Sequence, residues 1–172
     1  MSAAPRRIVL FPAAVLRRRA AEVTRFDDSL RGLVDEMVRV MREQEGAGLA
    51  APQVGESLRV FVTEARPEEG EALGVHVNPV IEISGDETDL MNEGCLSLPE
   101  IRGDIRRPAA VTITSSDLEG RRHARTSDGM IARIWQHEFD HLEGVLIVDR
   151  MAPVDRMRAR KSLRALERSA GA

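Results

Sequence analysis

The residues most able to do chemistry in this sequence are His137 and His141, which stand four positions apart with Glu138 beside the first. On an α-helix this spacing places both imidazole rings on one face, one turn apart, where they can converge on a metal ion. Glu138 is then close enough to exchange protons with an activated water molecule. The pattern predicts a metallohydrolase centre; the alternative is a helix with two surface histidines.

A catalytic metal of this kind needs a third protein ligand and an open position for water. No histidine follows His141, and Glu143 is too close in the chain to fold back as a ligand. Cys95, the only cysteine, is the other candidate, because a thiolate with two imidazoles suits zinc or ferrous iron. A small buried apolar residue is the second interpretation of Cys95, and its segment alone leaves both open.

Residues 46–53 form a third segment of interest, in which small side chains lead to a terminal amide. Gly46 and Gly48 allow the backbone to approach a ligand closely. Gln53 offers an amide donor that could polarise a carbonyl group. The alternative interpretation of this segment is a flexible connector after a helix.

Helices that could position these residues are indicated by apolar residues recurring at helical spacing. The predicted helices span residues 29–44, 130–142 and 155–168. Asp27 or Asp28 is the expected N-cap of the first helix, and Gly46 its expected end. The second helix carries both histidines, and the third is rich in arginine.

Strands are predicted where β-branched residues concentrate between turn signals. The pair Asn78-Pro79 interrupts residues 75–83, so an edge strand or two short strands are expected there. Residues 110–114 and 121–126 flank a turn and predict a hairpin. The remaining assignments are a strand over residues 58–63 and a polar loop over residues 64–71.

Short strands with interspersed helices, and no regular βαβ alternation, predict an α+β fold. We expect short antiparallel or mixed sheets packed around a central metal-binding helix, with an N-terminal helix and a C-terminal helix. The length of 172 residues fits one domain over residues 1–172.

The composition of the chain indicates which partners and which compartment to expect. The net charge of −3 gives no global attraction to DNA or to an anionic membrane. The apolar stretch at residues 8–16 is broken by Pro12, is too short to span a bilayer and has no convincing signal-peptide cleavage site. A single cysteine fits a reducing compartment. We therefore expect a cytoplasmic protein with no membrane or DNA partner.

Together, the three segments resemble the peptide deformylase family, whose motifs are G-x-G-x-A-A-x-Q, E-G-C-x-S and H-E-x-x-H in that order. The sequence carries all three without a departure, at residues 46–53, 93–97 and 137–141. The resemblance extends over residues 8–168 and implies one catalytic deformylase-like domain. A different zinc peptidase would need a ligand downstream of the last motif, and a non-catalytic module would lack Glu138 or a ligand.

The resemblance implies a metal bound by Cys95, His137 and His141. Ferrous iron is the expected ion in cells, with zinc, nickel or cobalt as replacements in preparations. Glu138 would take a proton from the attacking water and later donate one to the leaving amine.

The resemblance also implies the groups that face the substrate. The backbone N–H of Leu96 and the side chain of Gln53 would face the developing oxyanion. Gly48 would offer backbone hydrogen bonds to the substrate's peptide group.

The implied substrate is an N-formyl-methionyl nascent peptide, from which hydrolysis releases formate and a free amino terminus. Methionine selection needs an apolar pocket, for which Met91, Met130 and Ile134 are the candidate walls and Ala47 the mouth. Met130 and Ile134 share a helix face with the histidines. For both, ordinary core packing is the alternative.

Two arginines, Arg102 and Arg107, follow the cysteine motif. We expect one of them to pair with Glu93 and the other to contact the substrate backbone; Arg102 is our candidate substrate-binding residue. The alternative for each is a solvated arginine.

The two other histidines and the single tryptophan are expected to have structural rather than catalytic roles. His76 and His123 lie in predicted strands and are expected on exposed faces. Trp135, the only tryptophan, is expected in the core.

The basic C-terminal helix has two interpretations. It could dock weakly on ribosomal RNA near emerging nascent chains. A solvated face with intrahelical ion pairs is the alternative, which we favour. Its cationic residues are Arg156, Arg158, Arg160, Lys161 and Arg164.

Overall fold

A computed structural model describes residues 5–64 and 72–171 of the chain. Its α-helices are α1 (Asp28–Glu43), α2 (Gly129–Leu142), α3 (Ile147–Arg150) and α4 (Pro153–Ala170). Its strands are β1 (Gly48–Ala50), β2 (Val60–Thr63), β3 (Gly74–Ile83), β4 (Thr88–Cys95), β5 (Leu98–Pro108), β6 (Ala110–Ser116) and β7 (Arg122–Asp128). Short 3-10 turns at Ala14–Arg17 and Ala51–Val54 complete the described elements.

The strands form two antiparallel sheets within the described residues. One has five strands in the order β1-β2-β3-β6-β7, and the other is the β4-β5 ribbon. The predicted hairpin is confirmed as β6 and β7. The predicted α+β class is confirmed, whereas β4 and β5 were not foreseen. The predicted loop at residues 64–71 lies outside the described residues after position 64.

Helix α1 follows its sequence signals closely. Asp27 is the N-cap, because its Oδ1 accepts hydrogen bonds from the backbone N–H groups of Ser29 (3.1 Å) and Leu30 (3.3 Å). At the other end Glu45 takes the left-handed conformation, with φ 52°. Gly46 follows it and donates its N–H to the Met41 carbonyl at 2.9 Å. The helix therefore ends in a Schellman arrangement in which a glutamate holds the position usually given to glycine.

Strand β3 corrects the prediction of an edge strand or two short strands. It is one strand at the centre of the five-stranded sheet, paired with β2 on one side and β6 on the other. The register shifts between Val77 and Val80, so Pro79 lies in a bulge where no ladder N–H is required. Asn78, at φ 48°, donates to and accepts from the backbone of Val23, both at 2.8 Å.

The exposed positions predicted for the two strand histidines are also corrected. His76 is only 1% exposed, because β3 is covered by α2 on the face where the ring points. Its Nδ1 lies 3.0 Å from Ser115 Oγ, and its ring packs against Phe61. His123 is half-buried, with Nε2 3.2 Å from the same hydroxyl.

Helix α2 lies between the five-stranded sheet and the β4-β5 ribbon. Trp135 is fully buried, as predicted, and packs with Phe61, Val111 and Ile113 from the sheet. On the ribbon side, Arg133 donates hydrogen bonds to the Ile105 and Asp89 carbonyls. The helix is thus clamped between two layers, which places its histidine face at their junction. Among the described helices, none is long and apolar enough to cross a lipid bilayer.

Candidate metal centre and substrate cleft

The three side chains predicted to bind metal are brought together at the junction of α2 and β4. His137 and His141 lie one turn apart on α2, with ring centroids 5.1 Å from each other. Cys95 ends β4 and places its Sγ 3.4 Å from His141 Nε2. One donor atom from each residue lies within 4.8 Å of the other two. Cys95 is far from the two histidines in sequence, and the packing of the ribbon against the helix brings it next to them.

This donor set fits a single divalent metal ion. A thiolate and two imidazoles are ligands suited to zinc or ferrous iron, and three protein ligands leave a position for water or substrate. Next to them, Glu138 Oε2 is buried and has no hydrogen-bond partner among the described residues. Such an orphaned polar atom is expected where a water or ion completes the site.

The orientation of His137 is set by Glu93. His137 Nδ1 donates to Glu93 Oε2 at 3.0 Å, which leaves Nε2 free to face the metal position. Burial lowers the pKa of His137, but the hydrogen bonds to Cys95 and Glu93 outweigh it and hold that pKa well above its usual value. A divalent cation held here would require the neutral ring of His137, so its binding would release a proton.

Glu93 is itself held by two buried arginines. Arg107 donates to both of its carboxylate oxygens, at 2.6 and 2.8 Å, and Arg133 donates to Oε1 at 2.6 Å. Burial raises the pKa of Glu93, but the hydrogen bonds from Arg107 and His137 bring it below the ordinary value. One of Arg102 and Arg107 was expected to pair with Glu93, and Arg107 is the one that does.

The network continues away from the metal position through Asp140. Arg107 donates to Asp140 Oδ2 at 2.9 Å, and Arg150 donates to the same oxygen at 2.6 Å. Alternating charges therefore connect the solvent-exposed end of α3 to the imidazole of His137. Because each buried charge has an opposite partner, the desolvation cost of the network is compensated.

Glu138 lies against Gly48 of β1. An ideal Cβ built on Gly48 would come within 2.5 Å of Glu138 Oε1, so only glycine permits this approach. Burial raises the pKa of Glu138 to about 7. A carboxyl group with such a pKa can both accept and release a proton near neutral pH.

Gln53 is oriented by its own backbone neighbours. Its Oε1 accepts the Ala50 N–H at 2.9 Å, which directs Nε2 toward Ser97 Oγ at 3.2 Å and Cys95 Sγ at 3.6 Å. Leu96 lies next to Cys95 and lines the same cleft. The amide donor predicted from the sequence therefore faces the metal position.

A cleft of about 780 Å³ opens in front of these groups. Every residue predicted to bind substrate lines it: Ala47, Gly48, Met91, Arg102, Met130 and Ile134. Ile134 is 8% exposed and Met130 44% exposed, so Ile134 belongs to the floor and Met130 to the rim. Arg102 is exposed, and its Nε donates to Asn92 Oδ1 at 2.8 Å.

Three residues of this site were missed from the sequence: Arg133, Asp140 and Ser97. Arg133 carried a usable signal, since it stands four positions before His137 and so shares its helix face. Ser97 stands in the E-G-C-x-S motif, but its contact with Gln53 comes from a distant part of the chain. Asp140 carried no usable signal, because its partner Arg107 is also distant in sequence.

An α+β fold with a thiol, two helix-borne histidines and a buried glutamic acid at the end of a cleft defines a metallohydrolase. The model of the family described as polypeptide deformylase matches residues 5–157. The chain belongs to this family, which confirms the resemblance drawn from the three motifs.

Individual relatives agree with this assignment. The chain is 42% identical over 163 residues to a peptide deformylase of Thermotoga petrophila, covering 95% of this chain and 97% of that one. A solved peptide deformylase of Plasmodium falciparum is 41% identical with a TM-score of 0.89, covering 94% of this chain and 95% of that one. A plant peptide deformylase 1B structure reaches a TM-score of 0.92 at 40% identity, covering 99% and 93% of the two chains.

Proposed function

We propose that this enzyme hydrolyses the N-formyl group of formyl-methionine at the amino terminus of nascent polypeptides and releases formate. The observation that carries the proposal is the convergence of Cys95, His137 and His141 beside the buried Glu138 at the end of the cleft. Deformylase relatives that match along nearly their whole length support the same reaction.

The enzyme uses one divalent metal, which Cys95, His137 and His141 hold in this proposal. We propose ferrous iron as the ion in cells, with zinc, nickel or cobalt replacing it in preparations. When bound, the ion supplies Lewis acidity that activates water and polarises a carbonyl oxygen. The soft thiolate beside two imidazoles supports this group of metals over calcium or magnesium.

Glu138 is the proposed acid/base. It accepts a proton from the attacking water and later donates it to the nitrogen that leaves with the peptide. Burial beside Gly48, which raises its pKa to about 7, supports both directions of transfer.

The oxyanion that develops on the formyl group is proposed to face the Gln53 amide and the Leu96 backbone N–H. The Ala50 N–H holds Gln53 Oε1, so the amide donor is already oriented before substrate arrives. Gly48 contributes backbone hydrogen bonds to the first peptide group of the substrate.

The methionine side chain is proposed to enter the cleft between Met91, Met130 and Ile134, with Ala47 at the mouth. Flexible thioethers on two sides of the pocket adapt well to an unbranched guest. Arg102, held at the rim by Asn92, is proposed to contact the substrate backbone.

The domain organisation, the location and the partners of the enzyme are also proposals. We propose one catalytic domain over residues 1–172, acting in the cytoplasm, with no DNA or membrane partner. Of α4 only Ala159 is buried, so its cationic side chains face solvent. Ion pairs within the helix, such as Arg158–Asp155, favour the interpretation of α4 as a solvated face. Weak docking of α4 on ribosomal RNA is the second candidate. Co-sedimentation with ribosomes at low salt tests it.

Formate release from formyl-Met-Ala-Ser by freshly prepared, iron-loaded protein tests the reaction. We expect rapid release that depends on the metal and stops when a chelator removes it. A folded protein that holds its metal and releases no formate would contradict the proposal.

A further inference from the structure

The proposed metal ligands of this chain come from two separate elements, and side-chain hydrogen bonds connect these elements beside the site. Cys95 belongs to the β4-β5 ribbon, whereas His137 and His141 belong to α2. A small sliding of the ribbon against the helix would change the distance between the thiolate and the imidazoles. A side chain that bridges the two elements next to the ligands therefore controls the geometry of the centre.

Arg133 is such a bridge. It stands on α2 one turn before His137 and is 5% exposed. Its NH1 donates to Glu93 Oε1 at 2.6 Å and to the Ile105 carbonyl at 3.1 Å, and its NH2 donates to the Asp89 carbonyl at 2.9 Å. One guanidinium thus ties the helix to both strands of the ribbon.

The contact with Glu93 links Arg133 to a metal ligand. Glu93 accepts the Nδ1–H of His137 at 3.0 Å through its other carboxylate oxygen. Arg107, on β5, also holds Glu93, and it reaches α2 indirectly through a hydrogen bond to Asp140. Among the described residues, Arg133 is the arginine of the helix itself that donates directly to this carboxylate.

We infer that Arg133 is a positioning residue of the metal centre, which acts through Glu93 to fix the orientation of His137 relative to Cys95. The inference rests on the proposed metal site. Outer groups that orient a ligating histidine typically change metal affinity by about 10–100-fold when removed. The planar fork of arginine suits this role because it reaches a carboxylate and two carbonyls at once.

The test measures how fast a chelator removes zinc from the loaded protein. We expect Arg133→Met to release the metal at least about tenfold faster than the unchanged protein. Arg59→Met is the matched control: Arg59 is also buried and also binds a carboxylate and a carbonyl, those of Glu143 and Pro79, but it does not touch a metal ligand or Glu93. Its release rate is expected to stay at the unchanged value.

A double-mutant cycle separates positioning from simple stabilisation. In a Glu93→Gln background, Arg133→Met is expected to have no further effect on zinc release, because the path to His137 is already broken. Visible absorption of the cobalt-loaded protein should shift in Arg133→Met and stay unchanged in Arg59→Met. Arg133→Lys, which keeps the charge and loses the fork, serves in the same cycle if the methionine variant does not fold.

Equal acceleration of zinc release in both Glu93 backgrounds would overturn the inference, as would unchanged release and an unchanged cobalt spectrum. Either result would leave Arg133 as a structural tie alone. Failure of the unchanged protein to retain zinc or iron would instead contradict the proposed metal centre, so the two failures are distinguishable.

Discussion

Gly48 and Glu138 approach each other so closely that no side chain fits between them: a Cβ on residue 48 would lie 2.5 Å from Glu138 Oε1. The two residues belong to β1 and α2, and both line the cleft. The absence of a side chain at residue 48 therefore leaves room for the carboxyl group of Glu138, the proposed acid/base, in its buried position.

Replacement of this glycine should damage catalysis more than folding. In Gly48→Ala the new methyl group displaces the Glu138 carboxyl, and a shift of about 1 Å in a catalytic group can cost about 100-fold in kcat/KM. Overpacking of this kind is expected to lower the free energy of unfolding by about 1–3 kcal/mol. Formate release and urea unfolding measure the two effects.

Gly32→Ala provides the matched control on α1. A Cβ at position 32 meets no described atom within 4 Å. We expect unchanged kcat/KM and a gain of about 1 kcal/mol in the free energy of unfolding, because alanine favours a helix over glycine. Full activity of Gly48→Ala with normal stability would show that the contact has no part in catalysis.

Replacement of Glu138, the proposed acid/base, should leave the metal in place. Glu138→Gln preserves the volume of the side chain but cannot accept a proton from water. We expect kcat to fall by about 10²–10⁴-fold. Metal analysis of the purified variant should give the same content as the unchanged protein, since Glu138 is not a proposed ligand. A variant that stays fully active would refute the acid/base assignment.

The floor and the rim of the cleft should contribute unequally to methionine selection. Ile134 is almost fully buried, whereas Met130 is nearly half exposed. Ile134→Ala removes three side-chain carbons, each of which is worth about 0.8 kcal/mol when buried. We therefore expect kcat/KM for a formyl-methionyl peptide to fall by up to about 60-fold. Met130→Ala is expected to cost less. In Ile134→Ala, kcat/KM for a formyl-phenylalanyl peptide should rise relative to kcat/KM for the formyl-methionyl peptide. An equal loss of kcat/KM for both peptides would exclude a role of Ile134 in methionine selection.

Acid should weaken the fold through His76. Burial, with smaller contributions from His123 and Arg125, lowers the pKa of His76 to about 3. In the unfolded chain the ring takes up a proton near pH 6.5, whereas the folded chain does not, so stability is complete above that pH and declines as pH falls toward 3. From this residue we expect a loss of about 2 kcal/mol between about pH 8 and about pH 5.

Urea unfolding of the unchanged protein and of His76→Phe at the two pH values isolates this contribution. Other groups titrate equally in both proteins, so the difference between them reports on residue 76. The phenylalanine variant should lose less stability on acidification. The same pH dependence in both proteins would mean that His76 is solvated or protonated in the fold.

Local sequence patterns determined the helices and the chemistry they carry. The apolar periodicity and the aspartate at position 27 were enough for α1, because capping and amphipathicity involve neighbouring residues. The spacing of His137 and His141 determined that they share a face of α2 in the same way. The three motifs together identified the family, since each records a local requirement of the reaction.

Partners that come from distant parts of the chain were decided only by the tertiary structure. Strand β5 alternates buried and exposed positions, but the buried position of Arg107 carries a charged residue like its exposed neighbours. The sequence therefore does not show the alternation of apolar and polar residues that predicts a strand. His76 looked exposed because its burial depends on α2 covering the central strand. Glu93 accepts hydrogen bonds from Arg107, Arg133 and His137. These bonds form only because the register of the ribbon and the packing of α2 bring the three side chains to Glu93.

The physical reason for this division is the range of the interactions. A helix face or a cap depends on residues within a few positions of each other, so the sequence displays it directly. A buried charge is tolerated only with a partner, and that partner can come from any segment that packing brings near. The sequence by itself predicted which residues would hold the metal, and only the fold decided which side chains contact those residues.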